Sequence, residues 1–191
     1  MKKHFYTLLL IIFYSFYGFG QCTSTVTPDY SESFENGLNP WTNDPSNQIN
    51  WAIGTGNVIG SSGASDGNNF IFITNAATNN SQTGYLLSPC INLTNCSASD
   101  ISFDYFFNGP QNTNLNGSLT LEVSTDNGIN WTTFWSLPTL STPSWQSGAS
   151  SNLDLTPFVG QSIQLRFNRT SAPNASRSFG IDKTTLRILK E

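Results

Sequence analysis

The segment ISFDYFF occupies residues 101–107. Its odd-numbered residues are all apolar or aromatic, whereas two of its three even-numbered residues are polar. Alternation with a period of two is the pattern of a β-strand that buries one face. Residues 119–124 and 163–168 alternate in the same way, and residues 70–73 are apolar on both faces, as in a central strand. These stretches predict a β-protein.

The rest of the chain agrees with an all-β fold. No window of eleven or more residues shows helical periodicity, and further strands are predicted over residues 85–93, 145–155 and 179–188. The longest connections, 57–69 and 75–83, are rich in Asn, Ser, Gly and Thr, which favour turns. Many short strands joined by polar turns predict a two-layer β-sandwich.

The segment STDNGINW at residues 124–131 predicts a hairpin turn. Its pattern, Ser-x-Asp-x-Gly-x-x-Trp, resembles the Asp-box of sialidase-type β-propellers. The pattern occurs once and the chain has no internal repeat, which excludes a propeller. Gly128 is free to adopt a positive φ angle, Asp126 can accept backbone N–H bonds across the turn, and Trp131 can pack over it. We interpret the motif as structural, because it supplies no pair of acid and base.

Residues 1–20 are predicted to be a cleaved signal peptide. A short basic start precedes a largely apolar run of 13 residues, and Gly18 and Gly20 fit the positions that a signal peptidase recognises. We expect a mature chain that begins at Gln21, forms one domain over 21–191 and is secreted or displayed at the cell surface. The apolar run is shorter than the ~20 residues of a membrane anchor, so no stable membrane insertion is expected after cleavage.

Charge and composition exclude several kinds of site. Without Lys2 and Lys3, six Lys and Arg face twelve Asp and Glu, a net charge near −6. Such a chain lacks the basic surface that nucleic acids and anionic membranes require. The one histidine, His4, lies in the leader. The mature chain therefore cannot use a histidine-dependent serine or cysteine nucleophile or form a histidine-containing zinc site.

Three cysteines, Cys22, Cys90 and Cys96, allow one disulfide and leave one thiol. Export would place them in an oxidising compartment, where disulfides persist. A Cys90–Cys96 bond closes a small loop, whereas Cys22–Cys90 closes a longer one. The longer loop constrains the unfolded chain more, and its closure contributes about 4 kcal/mol in the loop-entropy model. That difference does not decide which bond forms.

A series of short motifs resembles the MAM domain, a module of meprins and receptor-type phosphatases, over about residues 30–189. The motifs that carry the resemblance are SFENGL (33–38), WT (41–42), NW (50–51), GTG (54–56), the Gly/Ser-rich 61–67, NF (69–70), YLLSP (85–89), SFDY (102–105), Trp135 and Trp145, GQ (160–161) with 163–167, and FGID (179–182). Their order and spacing are more specific than any single motif. The chain departs from the family pattern at Lys183, where a second acidic residue is usual, and in its cysteines.

The resemblance implies a jelly-roll β-sandwich of two antiparallel sheets. It also implies an extracellular recognition or adhesion module rather than a catalyst. Trp41 and Trp51 match core positions of the family. The N-terminus is expected to run beside the YLLSP strand, which favours the Cys22–Cys90 disulfide and leaves Cys96 free.

Some related jelly rolls hold a structural cation between the first and last strands, and Ca²⁺ prefers six to eight oxygen ligands. Glu35 at the end of the first strand, Asp66 before the central strand and Asp182 on the last strand are the candidate metal ligands. The resemblance thus suggests one structural Ca²⁺, with a carbonyl of Asn68 or Asn69 as a further ligand. The alternative is that Glu35 and Asp182 only accept hydrogen bonds from turn amides.

The sequence also contains candidates for a sugar-binding platform and for a catalytic pair of carboxylates. Trp135 and Trp145 flank a polar hairpin, so one of them is a candidate platform for a sugar ring, although such residues more often belong to the core. Two carboxylates about 5–9 Å apart would suffice for a glycosidase. Because Asp104 and Glu122 are expected at solvent-facing strand positions, we predict no catalytic residue.

The sequence thus predicts a non-catalytic secreted or cell-surface module that binds a protein or glycan partner. The alternatives are a carbohydrate-binding module, an accessory domain of a secreted hydrolase and, from another class, a small glycoside hydrolase or lyase.

Overall fold

A computed structural model of the protein describes residues 24–74, 81–108, 118–137, 144–146, 153–171 and 178–189. These residues form twelve strands and a 3-10 turn at Thr156–Phe158. The strands are β1 (Thr25–Val26), β2 (Tyr30–Glu32), β3 (Thr42–Asn43), β4 (Ala52–Thr55), β5 (Asn69–Thr74), β6 (Thr83–Asn92), β7 (Ser99–Asn108), β8 (Ser118–Ser124), β9 (Thr132–Ser136), β10 (Leu153–Asp154), β11 (Ser162–Thr170) and β12 (Ser178–Ile188). The predicted signal peptide and Cys22 lie outside the described residues.

The strands form a sandwich of two six-stranded sheets. Sheet 1 has the order β1-β6-β11-β8-β9, and β3 also pairs with β6. Sheet 2 has the order β10-β7-β12-β5-β4, and β2 also pairs with β12. From β5 onward the chain crosses repeatedly between the sheets, which is the connectivity of a jelly roll. The predicted all-β, jelly-roll sandwich is confirmed.

One pairing departs from the predicted antiparallel sheets. β1 runs parallel to β6, with Thr25 opposite Cys90 and Val26 opposite Ile91. All other strand pairings among the described residues are antiparallel. The parallel pair sets residues 25–26 beside the strand that contains the YLLSP segment, as the resemblance suggested.

Most predicted strands lie where the alternation placed them. The segment 101–107 is the centre of β7, residues 119–124 belong to β8, and residues 163–168 belong to β11. Of the predicted strand 145–155, the described residues form a bridge from Gln146 to Tyr105 and the short β10; residues 147–152 lie outside the described part of the chain. No helix among the described residues is long and apolar enough to cross a membrane.

The inner faces of the two sheets share one core, and Phe167 lies at its centre. The Phe167 ring meets Phe103 edge to face, with 4.9 Å between ring centroids. It also stacks on Trp41 at 5.8 Å and contacts Trp51 at 6.3 Å. Both tryptophans are almost fully buried, so the core positions that the resemblance assigned to them are confirmed.

The outer face of sheet 2 is covered by the chain itself. Ile59 from the loop between β4 and β5 packs with Phe70 and Phe106 in a second, smaller core. Phe72 and Trp145 pack against the same cluster. A loop that covers an apolar sheet face explains why residues 70–73 are apolar on both sides.

Two carboxylates that were expected to face solvent are buried. Asp104 on β7 is 6% exposed and Glu122 on β8 is 8% exposed. Strand alternation correctly puts both on outer faces, but a loop covers Asp104, and neighbouring polar side chains pack around Glu122. The expectation of solvated side chains was therefore wrong for these two residues.

Candidate functional site

The outer face of sheet 1 carries a cation held by two aromatic rings. Arg166 projects outward from β11, in the middle of the sheet. Its guanidinium carbon lies 4.2 Å from the ring centre of Tyr85, on the neighbouring β6, and 4.2 Å from that of Trp131. Trp131 follows the turn after β8, on the other side of β11. Such cation–π contacts are strongest when the cation is partly desolvated.

The hairpin turn fixes the position of Trp131. The hydroxyl of Ser124 accepts a hydrogen bond from Gly128 N at 2.8 Å, and Asp126 Oδ1 accepts one from Asn130 N at 2.9 Å. The indole nitrogen of Trp131 donates to Gly128 O at 3.0 Å. Gly128 has a φ of +82°, as the turn requires. The sequence-based interpretation of this motif as a structural hairpin is consistent with these bonds.

Hydrogen bonds within this turn also stabilise the ionised carboxylate of Asp126. The backbone and side chain of Asn130 and the hydroxyl of Ser124 all donate to its carboxylate. These donors favour the ionised form and lower the pKa of Asp126 to about 2.

Glu122 is the anionic partner of Arg166. Arg166 Nε donates to Glu122 Oε2 at 2.6 Å, and the two side chains are 16% and 11% exposed. The other carboxylate oxygen of Glu122 accepts a bond from the amide of Asn168 at 2.8 Å and one from the hydroxyl of Thr120 at 3.4 Å. No described residue accepts a hydrogen bond from the two terminal nitrogens of Arg166.

The arrangement gives sheet 1 an outer face on which rings, a guanidinium and polar side chains are fixed side by side. Their positions follow from the register, because Arg166 pairs with Glu122 and Asn168 pairs with both Tyr85 and Thr120. Sequence reasoning missed this group as a site. The signal was present in the alternation of β11, which sends Arg166 outward.

The predicted glycan platform residues have other contacts. Trp135 packs edge to face on Phe103, with 5.1 Å between centroids, and lies against the main core. Trp145 packs on Phe70 at 5.4 Å, and its indole nitrogen donates to Gly63 O at 2.7 Å. Both are partly buried. Their contacts give each a structural role, and a sugar platform at these two residues stays a prediction.

The three predicted metal ligands all meet one loop, residues 65–69. Glu35 Oε1 accepts hydrogen bonds from Asn68 N at 2.8 Å and Asn69 N at 2.7 Å. Asp182 Oδ2 accepts bonds from the amides of Ser65 and Asp66 at 2.8 and 2.9 Å. The two carboxylates thus accept hydrogen bonds from backbone amides at the two ends of the loop. Accepting amide hydrogen bonds is the alternative to binding a cation.

Asp182 is fully buried on β12, beside Asp104 on β7. Burial raises the pKa of Asp182 to about 6, against the opposing effect of the amides of Asp66, Lys183 and Ser65. Lys183 is exposed and points away, at a bulge where its φ is +48°. Its side chain therefore does not neutralise Asp182.

A cation would find its ligands only partly assembled. Asp66 is exposed, and Asp104 is engaged by the hydroxyl of Ser65. Within the described residues, no three Asp, Glu, His or Cys side chains converge closely enough to hold a metal ion. Both oxygens of Asp182 already accept amide hydrogen bonds. The side-chain oxygens do not form a ready site, and Ca²⁺ binding stays a prediction.

The protein family is identified by a sequence match that covers most of the chain. The family description "MAM domain, meprin/A5/mu" matches residues 33–189. The chain belongs to the MAM domain family. No match was found among curated proteins.

The MAM domain is also similar in fold to solved structures. One is described as the TmCBM61 module in complex with β-1,4-galactotriose, with 17% identity, 82% of this chain and 94% of that chain covered, and a TM-score of 0.57. The K1 cleaved adhesin domain of Lys-gingipain from Porphyromonas gingivalis W83 shares 16% identity over 84% of this chain and 98% of its own, with a TM-score of 0.61. The K2 adhesin domain of Lys-gingipain shares 16% identity over 85% and 99%, with a TM-score of 0.57. At such low identity these similarities show the fold.

The N-terminus of the MAM domain bears on the predicted disulfide. Cys90 N donates to Ser24 O at 2.9 Å and Thr25 pairs with Cys90, so residues 24 and 25 lie directly beside Cys90. Cys96 is a free, partly buried cysteine. Cys22 itself lies outside the described residues, and the Cys22–Cys90 bond stays a prediction that this geometry supports.

Proposed function

We propose that this MAM domain is an exported, non-catalytic recognition module that binds a glycan on the outer face of sheet 1. The observation that carries the proposal is the fixed group formed by Tyr85, Arg166 and Trp131. Export rests on the leader sequence, with cleavage before Gln21, and the module would act outside the cell or at its surface.

The chemistry of this face suits a sugar. Pyranose rings present C–H groups on one face and hydroxyls at the edge, and aromatic rings beside hydrogen-bonding groups bind both. Trp131 and Tyr85 are each partly exposed. The terminal nitrogens of Arg166 are available donors, and Glu122 and Asn168 supply oxygen acceptors next to them. These groups are held before any ligand arrives, which lowers the entropic cost of binding.

The two sheets differ in what covers them, and that difference favours sheet 1. The outer face of sheet 2 is occupied by Ile59 and Trp145. On sheet 1, the described residues leave a polar face with partly exposed rings. The similarity in fold to a galactotriose-binding module and to adhesin domains is consistent with binding, although fold alone does not give function.

Hydrolysis is the less favoured alternative. A glycosidase needs one carboxyl group that donates a proton and a second that acts as base or nucleophile, both within reach of the sugar. Glu122 is committed to Arg166, and Asp104 and Asp182 lie beneath the loop that contains Ser65. None of these three carboxylates is placed as a free acid beside an open cleft.

The proposal is tested by binding of the wild-type domain to a panel of immobilised glycans that includes β-1,4-galactan and xylan. Trp131→Ala and Tyr85→Ala should each weaken binding to any retained glycan by about tenfold or more, because a stacked ring contributes on the order of 1–2 kcal/mol. Phe72→Ala is the matched control, since it removes an aromatic ring from the outer face of sheet 2. Melting curves confirm that each variant is folded.

Two results would contradict the proposal. One is that no glycan in a broad panel is retained while a cell-surface protein binds, which would assign the face to a protein partner. The other is that Phe72→Ala abolishes glycan binding while Trp131→Ala leaves it unchanged.

A further inference from the structure

We infer that Glu122 determines specificity on this face, making it select uncharged glycans and discriminate against acidic ones. The inference rests on the proposed function, because it concerns which class of glycan the same surface takes. It follows from the charge balance around Arg166.

Arg166 is the one cation on the outer face of sheet 1 within the described part of the chain. Arg169 lies on the same strand but is fully buried on the inner face, near Phe179. Lys183 and Arg187 belong to β12, in the other sheet. Among the described residues, an acidic sugar on this face would therefore find a counter-charge only at Arg166.

The charge of Arg166 is already balanced inside the protein. Its Nε lies 2.6 Å from Glu122 Oε2, and both side chains are more than four-fifths buried. Charges in such a partly desolvated setting interact more strongly than in water. A carboxylate that approached Arg166 would also approach Glu122, so that attraction and repulsion largely offset each other.

The wider charge distribution of the protein also disfavours acidic ligands. Asp126, in the turn beside Trp131, adds a further negative charge next to this face, and hydrogen bonds within the turn lower its pKa to about 2. The whole chain has a net charge of −4, and the predicted mature chain is more negative. A negative field slows the approach of polyanions and has no such effect on neutral polymers.

The hydroxyl groups of a neutral sugar carry no charge and are not repelled by Glu122. A hydroxyl both donates and accepts hydrogen bonds, so adjacent sugar hydroxyls can accept from the terminal nitrogens of Arg166 and donate to oxygens of Glu122 or Asn168. Hydrogen bonds to charged groups are stronger than those between neutral groups. The Arg166–Glu122 pair thus offers charge-assisted bonds to a neutral ligand without a net charge.

The experiment compares a neutral hexose glycan that the domain retains, such as β-1,4-galactan, with the same glycan oxidised to carboxylate at C6. Wild-type protein should bind the neutral form with an affinity that changes little between 20 and 500 mM NaCl, and the oxidised form about tenfold or more weakly. Glu122→Gln removes the charge while keeping the side-chain length and one oxygen acceptor. It should raise affinity for the oxidised glycan by about tenfold, and added salt should remove that gain.

Asp154→Asn is the matched control, because it removes one exposed negative charge from β10 on the other sheet. It should leave the preference for the neutral glycan unchanged. If Glu122→Gln fails to fold, tight and salt-sensitive binding of the oxidised glycan by wild-type protein would still overturn the inference.

Each outcome has a distinct meaning. Wild-type protein that binds the oxidised form as tightly as the neutral one, in a salt-sensitive way, would overturn the role of Glu122 and leave glycan binding intact. An unchanged preference in folded Glu122→Gln would also overturn it. Failure to bind either glycan class would overturn the proposed function and this inference together.

Discussion

The guanidinium carbon of Arg166 lies 4.2 Å from the centre of the Trp131 ring, although the two residues belong to elements that are distant in sequence. The register of β11 against β8 points Arg166 outward, and the hydrogen bonds of the turn at residues 124–131 bring the indole over it. A fold-forming hairpin therefore also completes the proposed binding face.

Phe167 is expected to dominate the stability of the sandwich. Phe167→Ala removes a ring that contacts Trp41, Trp51 and Phe103, and should lower the free energy of unfolding by about 3–5 kcal/mol. Urea unfolding measures the change. Phe72→Ala, a partly buried ring on the outer face of sheet 2, should cost clearly less. Equal losses for the two variants would show that the core is not centred on Phe167.

The turn should show a defined pH dependence. The pKa of Asp126 in the folded protein is about 2, below the ordinary value of 3.8 for an aspartate. Its stabilising effect is therefore fully present above pH ~4 and is lost as the pH falls through about 2. Asp126→Asn should be less stable than wild type at pH 7, and the gap in urea unfolding should narrow between pH 4 and pH 2. A gap that is constant over this range would contradict the assignment.

Calcium binding is testable through stability. If Glu35, Asp66 and Asp182 share a Ca²⁺ ion, a hundredfold excess over the dissociation constant adds about 2.7 kcal/mol to the folded state. The melting temperature should then rise by several degrees, at roughly 2–4 °C per kcal/mol, and a chelator should reverse the rise. Asp182→Asn should blunt the calcium effect. Identical wild-type melting curves with Ca²⁺ and with chelator would leave Asp182 as a residue that only holds the loop.

The predicted disulfide can be mapped directly. Non-reducing peptide mapping of the secreted protein should join Cys22 to Cys90 and find Cys96 alkylated as a free thiol. The parallel pairing places Thr25, three residues after Cys22, opposite Cys90, which favours this bond. The N-terminal peptide should begin at Gln21. A peptide that joins Cys90 to Cys96 would contradict the prediction.

Most of the fold could be predicted from the sequence because strand alternation is a local signal. The segments that became β7, β8 and β11 each show it, and the Asp126 turn carries its own hydrogen-bonding residues. Local patterns cannot reveal what lies on top of a strand. The burial of Asp104 and Glu122 was therefore missed, since it depends on a loop and on neighbouring strands.

The candidate site was harder to predict for the same reason. Tyr85, Trp131 and Arg166 come from three separate segments, and they are brought together by the register of sheet 1 and by the hydrogen-bonded turn that places Trp131. The sequence predicts that the carboxylates of Glu35 and Asp182 meet near residue 66, and both bind the loop 65–69. Whether their oxygens accept amide hydrogen bonds or bind a cation depends on interatomic distances, which a sequence pattern does not give.

Binding of a glycan over Arg166 and Trp131 can be tested by NMR titration of ¹⁵N-labelled protein. The chain has five tryptophans, whose indole N–H signals are separate reporters. On addition of a retained glycan, the Trp131 indole and Arg166 Nε–H signals should shift together and saturate with the same dissociation constant. The signals of buried Trp51 and of Trp145 on the opposite sheet should stay in place. Shifts at Trp145 with Trp131 and Arg166 unchanged would show that the glycan does not bind on the outer face of sheet 1.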